Sequence, residues 1–393
     1  MEMVNLKTVL MIRNNDKPSY DLRMVLQKKT LEDAGYDVYQ LFIRFEDGLN
    51  IWLLHKDDTV HYHESENDLI SKTMGAATKV KVLAPLRNIL TLYLMYKFIV
   101  KNVPKIDVVH AHNLDTMPLA IRIKSKYQCK IVYDMREMYA EMAGRGFSDV
   151  VKEYYMKKEK QMQKYADWIF IMEKITHEWV RKFNKKTPIS LVRNSRPLIY
   201  KKYKQCDNDT EPLNLLFLGT ISQPRYVLEA IGVVEKMNGR VKFYIGGCPQ
   251  SDPYYHSVIA ECKKVKHSEF IGQINCMSVV PITRQCDVVL CMLDPEQYNN
   301  GRAIANKQLE AMVAGRPVIT SRGSYAGRVT VQNNCGLVIE HCRAGLRVGL
   351  EYLLQEPKLR VQYGKNGLKA AKKEYNWELD AKRMLDAYKE LLK

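Results

Sequence analysis

Among the nine cysteines there is no CxxC pair and no Cys/His cluster; they are odd in number and scattered from Cys129 to Cys342. That pattern argues against a zinc site or a disulfide framework and fits a reducing compartment. No apolar run is long enough to cross a bilayer. The most apolar stretch, Ile89 to Val100, is broken by Lys97 and bounded by Arg87 and Lys101, whereas a span needs roughly 20 apolar residues. It reads as a packed helix of a first domain, with an interfacial anchor as the alternative. Met1 to Arg13 lacks a charged n-region, a long apolar core and a small-residue cleavage site, and reads as polar residues leading into a strand. Without a secretory signal, the sequon Asn208-Asp209-Thr210 is taken as accidental. A cytoplasmic protein, peripheral at most on the inner face of a membrane, is expected.

Acidic balance is lacking too: the formal net charge is +17, which calls for anionic partners such as nucleotide phosphates, acidic lipids or nucleic acid. The excess is shared by both halves of the chain. It is locally strong over residues 151–200, with 12 Lys/Arg against 5 Asp/Glu, either a solvated helix face or a surface for an anionic membrane. No aromatic-basic motif or compact DNA-binding helix pair occurs, so nucleic acid is not an expected partner.

What is present is length and alternation. A chain of 393 residues with 46% hydrophobic and 27% charged residues exceeds one core and suits two α/β domains. Strand-type runs are Lys7 to Ile12, Asp37 to Ile43, 108–112, Lys130 to Tyr133, Trp168 to Met172 and Ser190 to Val192. Helical spacing falls at Asp21 to Glu32 and Met117 to Lys126. The polar stretch 201–212 ends in Pro212 and reads as a linker. The alternation then restarts: strands at Leu213 to Leu218, Val241 to Ile245, Phe270-Ile271, Asp287 to Met292 and 318–320. Helices are expected at Val227 to Met237, near 255–265 and 277–285, and at Lys307 to Ala314, with a last one from Trp377 to Leu392. This predicts two facing Rossmann-like domains with a ligand cleft between them: 1–200, a linker 201–212, 213–375, and a closing helix 376–393 with the reach to cross back.

The segment Asn306-Lys307-Gln308-Leu309-Glu310 carries the clearest chemistry. Asn306 suits a helix cap, a capped N-terminus offers free N–H groups, and Lys307 adds a full positive charge, so the three make a diphosphate seat. Glu310, one turn on, could accept from both hydroxyls of a ribose. The bland alternative is a capped surface helix. His112 ends a buried strand on the carboxyl edge, where open α/β sheets place ligands; His110 shares its face and is the nearest competitor.

Here the sequence resembles a known family. Residues 306–319 are similar to the NK-x-x-E-A-M-x-A-G-x-P-V-I signature of family 4 retaining glycosyltransferases (glycosyl transferases group 1), which have the GT-B fold. Four further segments match in order: D-V-V-H-A-H-N-L-D-T-M-P at 107–118, Tyr133-Asp134-Met135-Arg136-Glu137, Leu218 to Arg225, and Tyr375-Asn376-Trp377. Asp21-Leu22-Arg23, followed by Gly35-Tyr36-Asp37-Val38, resembles the family's start. The resemblance implies transfer of a sugar from a nucleotide-diphosphate donor to a glycan or lipid-linked acceptor, with retention of anomeric configuration and neither metal nor further cofactor. It implies His112, Arg225 and Lys307 as the catalytic groups and Gly219, Thr220, Asn306 and Glu310 as donor-binding. Arg23, Asp134 and Glu137 are implied on the acceptor side. Departures are as clear. Arg302 stands where relatives carry a Glu eight residues before Glu310. Thr220 replaces an Arg, Arg136 replaces a His, and Ile12-Arg13-Asn14-Asn15 lacks a double glycine. Rival readings are a nucleotide-sugar-binding scaffold without activity and a sugar-nucleotide epimerase of the same fold.

Overall fold

The computed structural model describes residues 6–14, 21–45, 49–63, 84–141, 148–205, 211–248 and 252–393. Asn15, the sequon 208–210 and part of the expected linker lie outside the described residues. The chain divides into two compact units, Met1–Val192 with Ala381–Lys393, and Arg193–Asp380. The described part of the polar stretch 201–212 thus falls within the span of the second unit.

The first unit is built on an eight-stranded sheet of order β4-β3-β2-β1-β5-β6-β7-β8. Its strands are β1 (Thr8–Asn14), β2 (Asp37–Phe45), β3 (Leu49–His55), β4 (Asp58–His63), β5 (Val108–His112), β6 (Lys130–Met135), β7 (Trp168–Ile171) and β8 (Ile189–Leu191). From β2 through β8 every pairing is parallel. Central strands of such a sheet are covered by helices on both faces and so read as unbroken apolar runs; Val9 to Ile12, Val108 and Val109, and Ile131 to Tyr133 are all fully buried. The sequence reading did not foresee β3 and β4. They add an antiparallel hairpin to one edge, where the exposed β4 carries Asp58, His61 and His63, polar residues that blunt an open edge.

The helix Ala84–Asn102 is the expected packed helix: its Met95 and Ile99 are buried in the first unit. Among the described residues no helix is long and apolar enough to cross a membrane.

The second unit carries a six-stranded sheet of order β11-β10-β9-β12-β13-β14, parallel throughout. Here β9 is Leu213–Thr220, β10 Val241–Cys248, β11 Ser268–Phe270, β12 Val288–Cys291, β13 Val318–Ser321 and β14 Gly336–Ile339. Beyond the last strand foreseen come the helix Tyr325–Asn333, β14, and the helices Arg343–Gln355 and Pro357–Lys373. Leu346, Leu350 and Leu353 of the third of these elements join Phe217, Phe243 and Ile245 in the core. The final helix is Trp377–Leu391. From Ala381 onward it counts with the first unit, where Tyr388 is fully buried and packs edge-on against Tyr36.

Candidate functional site

In the first unit the register of two strands makes the site. His112, the last residue of β5, lies directly beside Asp134 of β6, and the two-residue period of a strand puts His110 on the same face as His112. All three side chains are fully buried. The imidazoles stack at 4.5 Å between centroids. Asp134 Oδ2 stands 3.2 Å from His112 Nδ1 and 3.6 Å from His110 Nε2.

A buried carboxylate needs cationic partners and hydrogen bonds to stay ionised, and Asp134 has both. Arg23 donates from Nε to Oδ2 at 2.7 Å and from Nη2 to Oδ1 at 2.8 Å, and Gln27 donates to Oδ2 at 3.0 Å. Burial alone would raise Asp134, but Arg23 and the two histidines hold it well below the usual carboxylate range. Burial, His110 and Arg136 also lower His112, well below the ordinary imidazole value, so it is neutral near pH 7. Its Nε2 is buried and has no hydrogen-bond partner among the described residues.

Arg23 is held in place because Asp21 caps the helix Leu22–Asp33, accepting from Met24 N at 3.2 Å. The other Asp21 oxygen takes Arg136 at 2.5 Å and Arg13 at 3.1 Å. Arg136 also reaches His112 Nδ1 at 3.2 Å. The structure therefore gives Arg136, which the sequence left without a task, two contacts: the helix cap and the histidine. Arg23 and Asp134 face each other inside the unit, 3% and 0% exposed, while Glu137 is on the surface. Tyr388 was not foreseen at all. Its hydroxyl lies 2.9 Å from His110 Nδ1 across 278 residues of sequence, a separation at which local pattern carries no signal.

His110, His112 and Asp134 offer three ligand atoms within 4.8 Å of one another and could in principle hold a metal. Asp134 already accepts from both arms of Arg23, and Arg136 sits against His112. A cation there would face two guanidinium groups, so the residues present do not fit a resident metal.

In the second unit the helix Asn306–Ala314 is cut off by Gly315 in the left-handed conformation, φ 71°. Its cap is Ala305, with no side-chain cap, and not Asn306 as the sequence suggested; Asn306 is the first helical residue and is exposed. Asn306 accepts instead from Asn194 Nδ2 at 3.3 Å. The first N–H groups of the helix are thus free of a capping side chain, which keeps its positive end open.

Lys307 follows, 7% exposed, with its Nζ 4.2 Å from the centre of the Phe217 ring. Among the described residues it has no ion pair. Burial and the nearby Arg225 lower it to about 8, against weaker support from Cys291 and Glu310. Gly219 and Thr220 end strand β9. Gly219 has φ 133°, a conformation that favours glycine, and a Cβ there would stand 3.2 Å from Lys307 Nζ and press on the ammonium. Arg225 closes the single turn Gln223–Arg225 and is half-buried.

Glu310, one turn after Lys307, is 6% exposed. Arg196, which the sequence did not single out, donates to its Oε1 from Nε at 3.1 Å and Nη2 at 2.5 Å. Its Oε2 has no hydrogen-bond partner among the described residues. Arg302 turns back on its own loop, 3.7 Å from the centre of the Tyr298 ring. Two cations without an ion pair among the described residues, an open helix end and a half-used carboxylate are groups that can receive an anion that also carries hydroxyl groups.

Residues 212–356 match the model of the family described as glycosyl transferases group 1. No protein of curated function matches the chain significantly. Among solved structures the chain is similar to the sucrose-phosphate synthase of Thermosynechococcus elongatus, at TM-score 0.72 and 14% identity, covering 98% of this chain and 99% of that one. A glycosyltransferase of Rickettsia africae gives TM-score 0.66 at 12% identity, covering 99% of each. HepE of Anabaena in complex with UDP-glucose gives 0.67 at 10%, covering 98% and 99%. At such identities the likeness establishes the fold, which is GT-B.

Proposed function

From the match of residues 212–356 to the glycosyl transferases group 1 model and the GT-B fold, we propose that the chain is a member of that family and transfers a sugar from a nucleotide-diphosphate donor, with retention of anomeric configuration and without a metal. One observation carries the reading: Lys307 is a buried ammonium with no ion-pair partner among the described residues, beside Arg225 and at an uncapped helix N-terminus. Breaking the bond from the anomeric carbon to the diphosphate leaves negative charge on the departing phosphate. Fixed cations and backbone N–H groups stabilise that charge most where water is excluded. Lys307 and Arg225 take this role, and Gly219 and Thr220 let the backbone come close. Glu310 accepts the ribose hydroxyls through the oxygen that Arg196 leaves open.

His112, neutral and with Nε2 unpartnered, takes the sugar end of the donor, in line with the motif it carries. Arg23 and Asp134 act behind it by fixing its orientation, and Glu137 is the one group of the acceptor-side set that is exposed. HepE binds UDP and UDP-glucose, which makes uridine nucleotides the first donors to try. The acceptor is a glycan or a lipid-linked sugar. The basic stretch 151–200 suits an anionic membrane surface, a contact that cosedimentation with anionic vesicles tests, because an electrostatic contact weakens with salt.

Incubation of the purified protein with a panel of nucleotide sugars, with and without acceptors, and measurement of released nucleoside diphosphate tests the reading. Release that persists in chelator supports it. No release from any donor, despite nucleotide binding, would leave a scaffold. Inversion at C2 or C4 of the donor without release would mark an epimerase.

A further inference from the structure

A second concentration of positive charge lies in the second unit, on residues other than those assigned to the donor. A cavity of about 680 Å³ is lined by Lys201, Lys202, Lys365, Lys369, Lys372 and Lys373, with Tyr203 and Leu368 as its apolar part. Its volume falls within the roughly 300–1,000 Å³ of small-molecule sites.

Two elements bring the lysines together. Lys365, Lys369 and Lys372 recur at i, i+4 and i+7 on the helix Pro357–Lys373, so they share one face. Lys201 and Lys202 come from the segment before Tyr203, and that segment is tied down: Arg284 donates to Lys202 O at 3.0 Å and Arg316 to Lys204 O at 2.7 Å. The Tyr203 ring is seated over two glycines, and a Cβ on Gly364 would meet it at 2.9 Å. Lys365 Nζ lies 5.6 Å from the centre of that ring.

Among the described residues none of the six ammonium groups has an ion pair, and no carboxylate lines the cavity. Glu374, next along the helix, is taken by Arg193 at 2.9 Å. A helix C-terminus attracts lysines in its last turn, which accounts for Lys372 and Lys373. It does not account for Lys365 and Lys369, further back, or for Lys201 and Lys202 on another segment. Six like charges around one concave surface repel one another unless an anion lies among them.

We propose that this groove binds a ligand bearing two or more phosphate groups, either free in solution or on a lipid headgroup. The lysines supply the charge, and Tyr203 and Leu368 contact the ligand's apolar part.

The test uses the full chain carrying Lys307→Gln, so that the donor seat contributes less, and equally, in every variant compared. Binding of inorganic tripolyphosphate is measured by calorimetry, and binding to vesicles of phosphatidylcholine with phosphatidylinositol 4,5-bisphosphate by cosedimentation. A variant with Lys201, Lys365, Lys369 and Lys372 changed to Gln is compared with one in which Lys236, Lys242, Lys263 and Lys266, exposed on other elements of the same unit, are changed to Gln. The two lose equal charge.

The groove variant should bind about tenfold more weakly or worse, and the control should bind nearly as before, because a few exposed charge contacts each contribute modestly. Loss seen with tripolyphosphate marks a soluble ligand; loss seen only with vesicles marks a headgroup. Equal loss in both variants, or no binding of either probe before the groove is changed, overturns the proposal. All variants keep Arg225 and Glu310, so a failure here leaves the proposed donor chemistry standing.

Discussion

Arg196 grips Glu310 by a single oxygen. Two guanidinium nitrogens converge on Oε1, and Oε2 is left without a partner among the described residues. The pair fixes the rotamer of a carboxylate that would otherwise be free to turn, while leaving half of it for a ligand. Arg196→Gln should therefore raise KM for the donor about tenfold and leave kcat largely intact, the sign of lost ground-state binding. Lysine should not rescue it, since one ammonium cannot reproduce two converging donors. Steady-state kinetics of both variants checks this; a fall in kcat with unchanged KM would contradict it.

Lys307 costs the fold stability in exchange for its place in the site. With its folded value lowered to about 8, the folded protein binds fewer protons than the unfolded one between about 8 and 10.5. Stability therefore rises with pH across that window, and below it the penalty is fully present. Lys307→Met should stabilise the protein at pH 7 by about 3 kcal/mol from a shift of that size. The gain should fade toward pH 10.5, and activity should fall by about a hundredfold or more. Denaturant unfolding at pH 7 and 10, alongside nucleotide release, reads both effects.

Glu159 gives a second pH dependence with the opposite slope. It is fully buried and accepts from Tyr133 Oη at 2.6 Å, and burial raises it to about 7. An acid with a raised folded value makes the folded state bind more protons between about 4.5 and 7, so its contribution falls as pH climbs through that range and stays low above it. Glu159→Gln keeps an acceptor for Tyr133 and removes the titration. It should be more stable than the parent at pH 8 by about 3 kcal/mol and close to it at pH 4.5. A difference that does not change with pH would rule this out.

Asp134 holds the histidine cluster together. Asp134→Asn should cost about 3–5 kcal/mol of stability, because it leaves Arg23 buried without its counter-charge. Arg23→Met combined with Asp134→Leu should recover much of that loss by replacing the pair with apolar bulk. If the single change proves as mild as the double one, the ion pair does not carry the cluster.

The parts of this molecule that could be read in sequence are those set by local pattern. Apolar runs such as Val9 to Ile12 mark strands buried on both faces, and Gly315 marks a helix end. In the hairpin β3–β4 the edge strand β4 is polar and makes no apolar run, whereas Ile51 to Leu54 of β3 is an apolar run that the sequence reading passed over. Asn306 was taken for the cap because its side chain suits one, yet the chain places Ala305 there, a shift of one residue that only geometry decides. The pairings Arg196–Glu310 and Tyr388–His110 join residues 114 and 278 positions apart, and Arg136 meets His112 through the fold of two adjacent strands. None of these is written in spacing, although the single residues Lys307, Glu310 and His112 were legible from their motifs.

The most direct test of the donor seat is calorimetric titration of uridine diphosphate at pH 8 in two buffers of different ionisation enthalpy. A diphosphate settling against Lys307 favours its charged form, so binding should take up a proton in part. The observed enthalpy should then differ between buffers for the parent protein and not for Lys307→Met, which should also bind far more weakly. Equal affinity in the two proteins, or binding without proton uptake in the parent, would contradict the assignment of Lys307 to the donor diphosphate.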